Sequence, residues 1–139
     1  MANIVVVDDY PPILELLTAV CQAQGHEVRA FESSEAGMEM IRDWQPEVAL
    51  LDRRLGGEDG LDLVQRVRTM SPQTRCVMVT ACNDTQDIVQ AMKRGAHNYV
   101  TKPFENADII NAVNEALASP NEEPLVRQKL VIVFPKQAA

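Results

Sequence analysis

The order of apolar segments is the feature that most constrains the fold of this chain. Short runs rich in β-branched residues alternate five times with longer segments whose apolar residues recur at helical spacing. The predicted strands cover 4–7, 28–31, 48–51, 76–79 and 98–101, and the predicted helices begin near Pro11, Ser33 or Ser34, Leu61, Thr85 and Asn106. Five βα units with short connections predict a parallel five-stranded sheet with helices on both faces.

The composition limits the classes of function open to the chain. Its 139 residues fit one domain, and the 46% of apolar residues are enough for a core. The net charge of −7 argues against direct binding to nucleic acid or to an anionic membrane. Cys21, Cys76 and Cys82 match no zinc pattern, and no apolar run could span a bilayer. We therefore expect a cytoplasmic protein without a signal peptide.

Polar side chains follow four of the five predicted strands. Asp8 and Asp9 come after the first strand, Asp52 after the third, Thr80 after the fourth and Lys102 after the fifth. In parallel sheets of this kind the ligand site lies outside the carboxyl ends of the strands. These five residues are therefore predicted to converge on one edge of the sheet.

The residue types at this edge suggest phosphoryl transfer. Three carboxylates close together repel one another, and a hard divalent cation such as Mg²⁺ relieves that repulsion. An aspartate can act as a nucleophile and form an acyl phosphate, and Asp52 is the best candidate because it follows the central strand. The Lys102 ammonium and the Thr80 hydroxyl would then bind the oxygens of the phosphoryl group.

Each of these residues also has a purely structural interpretation. Asp8, Asp9 or Thr80 could cap a helix, and Lys102 could be a solvated charge. The combination of all five at neighbouring strand ends is much harder to explain in that way, and it favours a functional site.

Several segments resemble the receiver domains of bacterial response regulators. They are Val5-Val6-Val7-Asp8-Asp9, Ala49-Leu50-Leu51-Asp52, Asp59-Gly60, Val79-Thr80-Ala81, Gly95-Ala96 and Tyr99-Val100-Thr101-Lys102-Pro103-Phe104. The resemblance covers about residues 1–118. It implies a three-layer, doubly wound (βα)5 fold of the flavodoxin-like type, with strand order 2-1-3-4-5.

The resemblance assigns a role to each matched residue. Asp52 would accept a phosphoryl group from a histidine kinase or a phosphotransfer protein. Asp9 and Asp52 would bind Mg²⁺ directly, together with the backbone carbonyl of Arg54, while Asp8 would act through metal-bound water. Mg²⁺ would be the cofactor. The domain would be no enzyme beyond self-catalysed phosphoryl acceptance and autodephosphorylation.

The resemblance also implies a switch. Thr80 would move toward the phosphoryl group, Tyr99 would swing inward, and the face formed by the fourth helix, fifth strand and fifth helix would change. This face would regulate an output domain or partner protein, with transcription as one expected output, and it could form a phosphorylation-dependent dimer. A cis Lys102–Pro103 peptide would aim the lysine.

The chain departs from the family pattern at several positions. Gly56 replaces a common proline and is followed by Gly57, which predicts a more mobile loop after the third strand. The resemblance implies that Arg54 flanks the path of the water that hydrolyses the acyl phosphate, so we hypothesise that it tunes the lifetime of this phosphate. His26 and His97 lack ligand partners in the sequence and are interpreted as surface residues.

The predicted domain organisation is a receiver over 1–118 and a tail over 119–139. The tail begins as a linker and turns apolar again at 125–134, which favours the truncated start of an output region, with a stand-alone receiver as the alternative. Two rival functions remain: a pseudo-receiver that binds a protein without phosphorylation, and an aspartyl-phosphate phosphatase. Arg54 argues against the phosphatase, which typically has a second aspartate at that place.

Overall fold

The computed structural model describes residues 1–118, and the tail predicted over 119–139 lies outside them. Its elements follow the predicted alternation of strands and helices. They are β1 (Asn3–Val7), α1 (Pro11–Ala23), β2 (Glu27–Phe31), α2 (Ser34–Trp44), β3 (Val48–Leu51), β4 (Arg54–Leu55), β5 (Glu58–Asp59), α3 (Gly60–Met70), β6 (Arg75–Thr80), α4 (Thr85–Lys93), β7 (Asn98–Thr101) and α5 (Asn106–Ala118).

The main sheet has the order β2-β1-β3-β6-β7, and all its pairings are parallel. With β4 and β5 set aside as a separate hairpin, this is the order 2-1-3-4-5 of the predicted five strands. The predicted fold class is therefore confirmed, and β3 lies at the centre of the sheet.

The two faces of the sheet carry two separate apolar cores. Val5, Val7 and Leu51 point into one core, which α2, α3 and α4 cover. Ile4 and Val6 point into the other, which α1 and α5 cover. Because helices cover both faces, the inner strands β1, β3 and β6 contain continuous apolar runs rather than alternating apolar and polar residues.

Backbone chemistry at the element ends explains the helix boundaries. Pro11 occupies the first turn of α1, and Gly25 follows the helix with a φ of 92°. The Ser33 hydroxyl accepts a hydrogen bond from the backbone N–H of Ala36 at 3.3 Å and caps α2. The N-cap of α1 is Tyr10, so neither aspartate after β1 caps this helix.

The glycine loop after β3 forms a short hairpin that the sequence did not predict. Its strands are β4 and β5, and Leu55 is 2% exposed, so the hairpin is anchored in the core. Gly56 has a φ of 64°, a conformation that favours glycine. The mobility predicted for this loop stays a prediction.

Two further details concern individual residues. The interpretation of His97 as a surface residue is wrong, because the residue is buried and only 7% exposed. The Lys102–Pro103 peptide is cis, as the resemblance implied.

No helix within residues 1–118 is long and apolar enough to cross a bilayer.

Candidate functional site

The ends of four neighbouring strands place the candidate residues at one edge of the sheet. Asp52 follows β3, with Asp8 after β1 on one side and Thr80 at the end of β6 on the other. Beside them is a cleft of about 540 Å³, lined by Asp9, Asp52, Arg54, Thr80, Ala81, Cys82, Asn83, Asp84, Asp87 and Lys102. The five predicted residues therefore lie at one edge of the sheet, as the order of the strands predicted.

Lys102 joins two of the three aspartates. Its Nζ donates hydrogen bonds to Oδ2 of Asp52 at 2.8 Å and to Oδ2 of Asp8 at 3.0 Å. The side chains of Asp8 and Asp52 are only 2% and 11% exposed. A single ammonium group thus stabilises two buried carboxylates that would otherwise repel each other.

The charges of this bridge depend on one another. Burial raises the pKa of Asp8, although hydrogen bonds from the Tyr10 backbone N–H and from Lys102 oppose that effect. Burial also opposes the charge on Lys102, but its hydrogen bonds to Asp52 and Asp8 outweigh this and raise the pKa of the ammonium. The lysine therefore stays charged at neutral pH.

Asp9 is held differently from the other two acids. Its Oδ2 accepts a hydrogen bond from the backbone N–H of Gly56 at 3.2 Å, so it faces the hairpin loop. Asp52 Oδ1 accepts from the backbone N–H of Arg54 at 3.3 Å. Within residues 1–118, no three acidic, histidine or cysteine side chains form a ready-made metal cluster. The predicted tight group of three carboxylates is thus replaced by a pair bridged by lysine and a third acid nearby.

Thr80 and Tyr99 meet at one residue of the loop before α4. Thr80 is 1% exposed, and its hydroxyl accepts a hydrogen bond from the backbone N–H of Cys82 at 3.3 Å. The Tyr99 hydroxyl donates to the backbone carbonyl of Cys82 at 2.7 Å. Burial raises the pKa of Tyr99, which is 8% exposed and already lies inward. A movement of this loop would therefore affect both residues.

Arg53 is a charged residue next to the site, and the sequence did not predict its two ion pairs. Its Nε donates to Asp59 Oδ1 at 2.7 Å, and its Nη1 lies 3.1 Å from Asp87 Oδ1. Hydrogen bonding to Asp59 raises the pKa of this guanidinium despite its partial burial. An arginine directly after the strand-end Asp52 was the available signal.

Gly60 allows α3 to begin directly behind Asp52. Its backbone N–H donates to the Arg53 carbonyl at 2.6 Å. A Cβ at this position would overlap the Asp52 carbonyl oxygen and lie 2.8 Å from the Arg53 Cα. Both atoms belong to the backbone and cannot rotate away. This close approach explains why glycine follows Asp59 at position 60.

The fold and cleft define a class: flavodoxin-like α/β domains with a site at the carboxyl edge of the sheet. Within that class the chain belongs to the response regulator receiver domain family, whose model matches residues 4–114. It is therefore a receiver domain of two-component signal transduction, the class of domain that phosphorylation controls.

Individual relatives agree with this assignment. The chain is 34% identical over 122 residues to the DNA-binding response regulator MtrA of Mycolicibacterium smegmatis, covering 88% of this chain and 53% of MtrA. It is 33% identical over 118 residues to the DNA-binding transcriptional regulator NtrC of Azospirillum brasilense, covering 85% of this chain and 24% of NtrC. The chain thus spans about half of MtrA and a quarter of NtrC.

A solved structure shows the same fold. A CheY-like receiver domain protein from Methanospirillum hungatei, whose crystal structure is known, is 26% identical in sequence to this chain. The two structures superpose with a TM-score of 0.79. The match covers 84% of this chain and 94% of that protein.

Proposed function

We propose that Asp52 is the phosphoacceptor and that it takes its phosphoryl group from a histidine kinase or a phosphotransfer protein. The observation that carries the proposal is the bond from Lys102 Nζ to Asp52 Oδ2, at the wall of a cleft that also holds Thr80. The carboxylate would attack phosphorus, the bond to the donor's leaving group would break, and an acyl phosphate would form. Lys102 and Thr80 would then hold the equatorial oxygens.

Mg²⁺ fits the donor chemistry of this cleft. Hard divalent cations prefer oxygen ligands such as carboxylates and backbone carbonyls. Asp9, Asp52 and Arg54 all line the cleft. We propose Asp9, Asp52 and the Arg54 carbonyl as ligands, with Asp8 acting through water. When bound, the cation would neutralise charge on the phosphoryl oxygens. Asp9 would exchange its hydrogen bond from Gly56 for the metal.

The switch would work through the loop before α4. Thr80 would turn its hydroxyl toward the phosphoryl group and release the backbone N–H of Cys82. Tyr99 would stabilise the new loop position through its bond to the Cys82 carbonyl. Phosphorylation would thereby shift the population of conformations on the face formed by α4, β7 and α5.

The proposed output is transcription in a longer protein. MtrA and NtrC are both named as DNA-binding proteins, and each is longer than this chain. We propose a receiver over 1–118 that works in the cytoplasm and changes the state of an output domain or partner protein. A phosphorylation-dependent dimer of the receiver is one way in which it would do so. Contact with DNA would belong to the output region, because the chain carries a net charge of −7.

Acetyl phosphate with Mg²⁺ provides the test. The intact protein should gain the mass of one phosphoryl group, Asp52→Asn should gain none, and chelation should abolish the gain. Wild-type protein that stays unmodified would instead support a pseudo-receiver. Repeated turnover of small phosphomonoesters would support a phosphatase.

A further inference from the structure

Arg53 connects three elements that surround the candidate phosphoacceptor. It directly follows Asp52, and its guanidinium makes a two-pronged contact with Asp59, at 2.7 Å from Nε and 3.5 Å from Nη2. Asp59 is the N-cap of α3, where its Oδ1 also accepts from the Leu61 N–H at 3.0 Å. The remaining nitrogen, Nη1, lies 3.1 Å from Asp87 in the first turn of α4.

The bridge to Asp87 matters because α4 is lightly packed. Ala91 is the one fully buried residue of α4, whereas α3 buries Gly60, Leu61, Leu63, Val64 and Val67. Ile88 and Met92 are only partly buried where they pack against the core. Because α4 buries less apolar surface than α3, a single ion pair contributes a larger share of its attachment. The Arg53 side chain is 20% exposed and that of Asp87 is 36% exposed, so solvent screens the pair only in part.

The same loop is secured from its other side. Tyr99 donates from its hydroxyl to the Cys82 carbonyl, three residues before α4 begins. The Arg53–Asp87 pair and the Tyr99–Cys82 bond therefore hold the two ends of the segment 82–87. Loss of the ion pair would leave the hydrogen bonds of Cys82 to Thr80 and Tyr99, both at one end of this segment, to keep it against the sheet.

We propose that Arg53 is a positioning residue that couples the phosphoacceptor loop to α4 through Asp87 and stabilises the arrangement with Tyr99 inward. Because the inward arrangement is the one expected to accompany phosphorylation, Arg53 favours the form of the domain that holds a phosphoryl group on Asp52. The inference rests on the proposed function of Asp52.

Two variants separate the pair from the rest of the Arg53 network. Arg53→Ala removes the contacts to both aspartates, whereas Asp87→Asn leaves the Arg53–Asp59 contact in place. Arg94→Ala is the matched control, because Arg94 Nη1 also lies 3.1 Å from a carboxylate, that of Asp62, at the other end of α4. These variants, the double variant with Arg53→Ala and Asp87→Asn, and the wild-type protein are compared in two measurements. The first is hydrogen exchange of the α4 amides, and the second is beryllofluoride binding in the presence of Mg²⁺.

The expected result is specific to the pair. Arg53→Ala and Asp87→Asn should each speed exchange in the first turns of α4, and each should weaken beryllofluoride binding about two- to fivefold. In the double variant these effects should not add, because one interaction has been removed twice. Arg94→Ala should leave beryllofluoride binding unchanged.

The outcomes that overturn the inference differ from those that overturn the proposed function. If wild-type protein binds beryllofluoride but Arg53→Ala binds it equally well, or if the two substitutions add, Arg53 does not act through Asp87. If Arg94→Ala weakens binding as much, any pair on α4 suffices and the inference fails. If wild-type protein binds none, the proposed function of Asp52 fails, and the inference fails with it.

Discussion

Substitution of Gly60 by alanine tests how closely α3 must approach Asp52, the proposed phosphoacceptor. An added Cβ would overlap the Asp52 carbonyl oxygen and lie 2.8 Å from the Arg53 Cα, so the backbone that carries Asp52 must move. The hydrogen bond of 2.6 Å from the Gly60 N–H to the Arg53 carbonyl would lengthen at the same time. Gly60→Ala should therefore damage both the fold and the site.

The size of the effect follows from two opposing contributions. Overpacking of this kind costs about 1–3 kcal/mol. Alanine also restricts the unfolded chain, which stabilises the folded protein by about 0.4–1 kcal/mol. We expect a net loss of about 1–2 kcal/mol in the free energy of unfolding. A displacement of Asp52 by a fraction of an ångström should slow phosphorylation by acetyl phosphate about tenfold.

Urea unfolding and phosphorylation rates measure the two effects, and Gly57→Ala is the matched control. Gly57 lies three residues before Gly60, in the turn between β4 and β5. It has no positive φ and offers open space to a Cβ. The control should be as stable as wild type or slightly more so, and it should be phosphorylated normally. Gly60→Ala that matched this control in stability and rate would refute the reasoning about backbone approach.

Three other predictions concern charged groups. Burial, together with the Arg75 and Arg68 charges, lowers the pKa of His97 from 6.5 to about 4, so the unfolded state binds more protons between these values. The contribution of neutral His97 to the free energy of unfolding should thus be fully present above pH 6.5 and should fall by up to about 3 kcal/mol on acidification to pH 4. In urea unfolding, His97→Gln should show a shallower dependence of stability on pH than wild type. Equal slopes for the two proteins would contradict this. Lys102→Met removes the cation between two buried carboxylates and should cost about 3 kcal/mol in EDTA, with Mg²⁺ recovering more stability in the variant than in wild type. A loss below about 1 kcal/mol would show that the bridge contributes little. Arg54→Ala should shorten the half-life of the acyl phosphate by opening the cleft to water, and an unchanged half-life would exclude this role.

The sequence was sufficient for the architecture because the main signals are local. Continuous apolar runs predicted strands covered on both faces, and Pro11, Gly25 and Ser33 marked helix ends through their own backbone chemistry. The position of Asp52 on the central strand could also be predicted, since β3 lies between β1 and β6. The carboxyl edge of the sheet followed directly from that topology.

The features that the sequence did not predict depend on long-range contacts. His97 is polar and next to a glycine-alanine segment, so only the packed structure shows that it is buried. The bridge from Arg53 to Asp87 joins residues 34 positions apart. The orientation of Asp9 toward Gly56 depends on a hairpin whose two-residue strands are too short to show a periodic pattern.

The central claim is that Asp52 carries the phosphoryl group, and borohydride reduction of the acyl phosphate tests it most directly. The protein is phosphorylated with acetyl phosphate and Mg²⁺, reduced, digested and sequenced by mass spectrometry. Reduction converts a phosphorylated aspartate into homoserine and leaves free aspartates unchanged. Homoserine at position 52 alone is the predicted result, and homoserine at position 8, 9 or 59, or at no position, would contradict it.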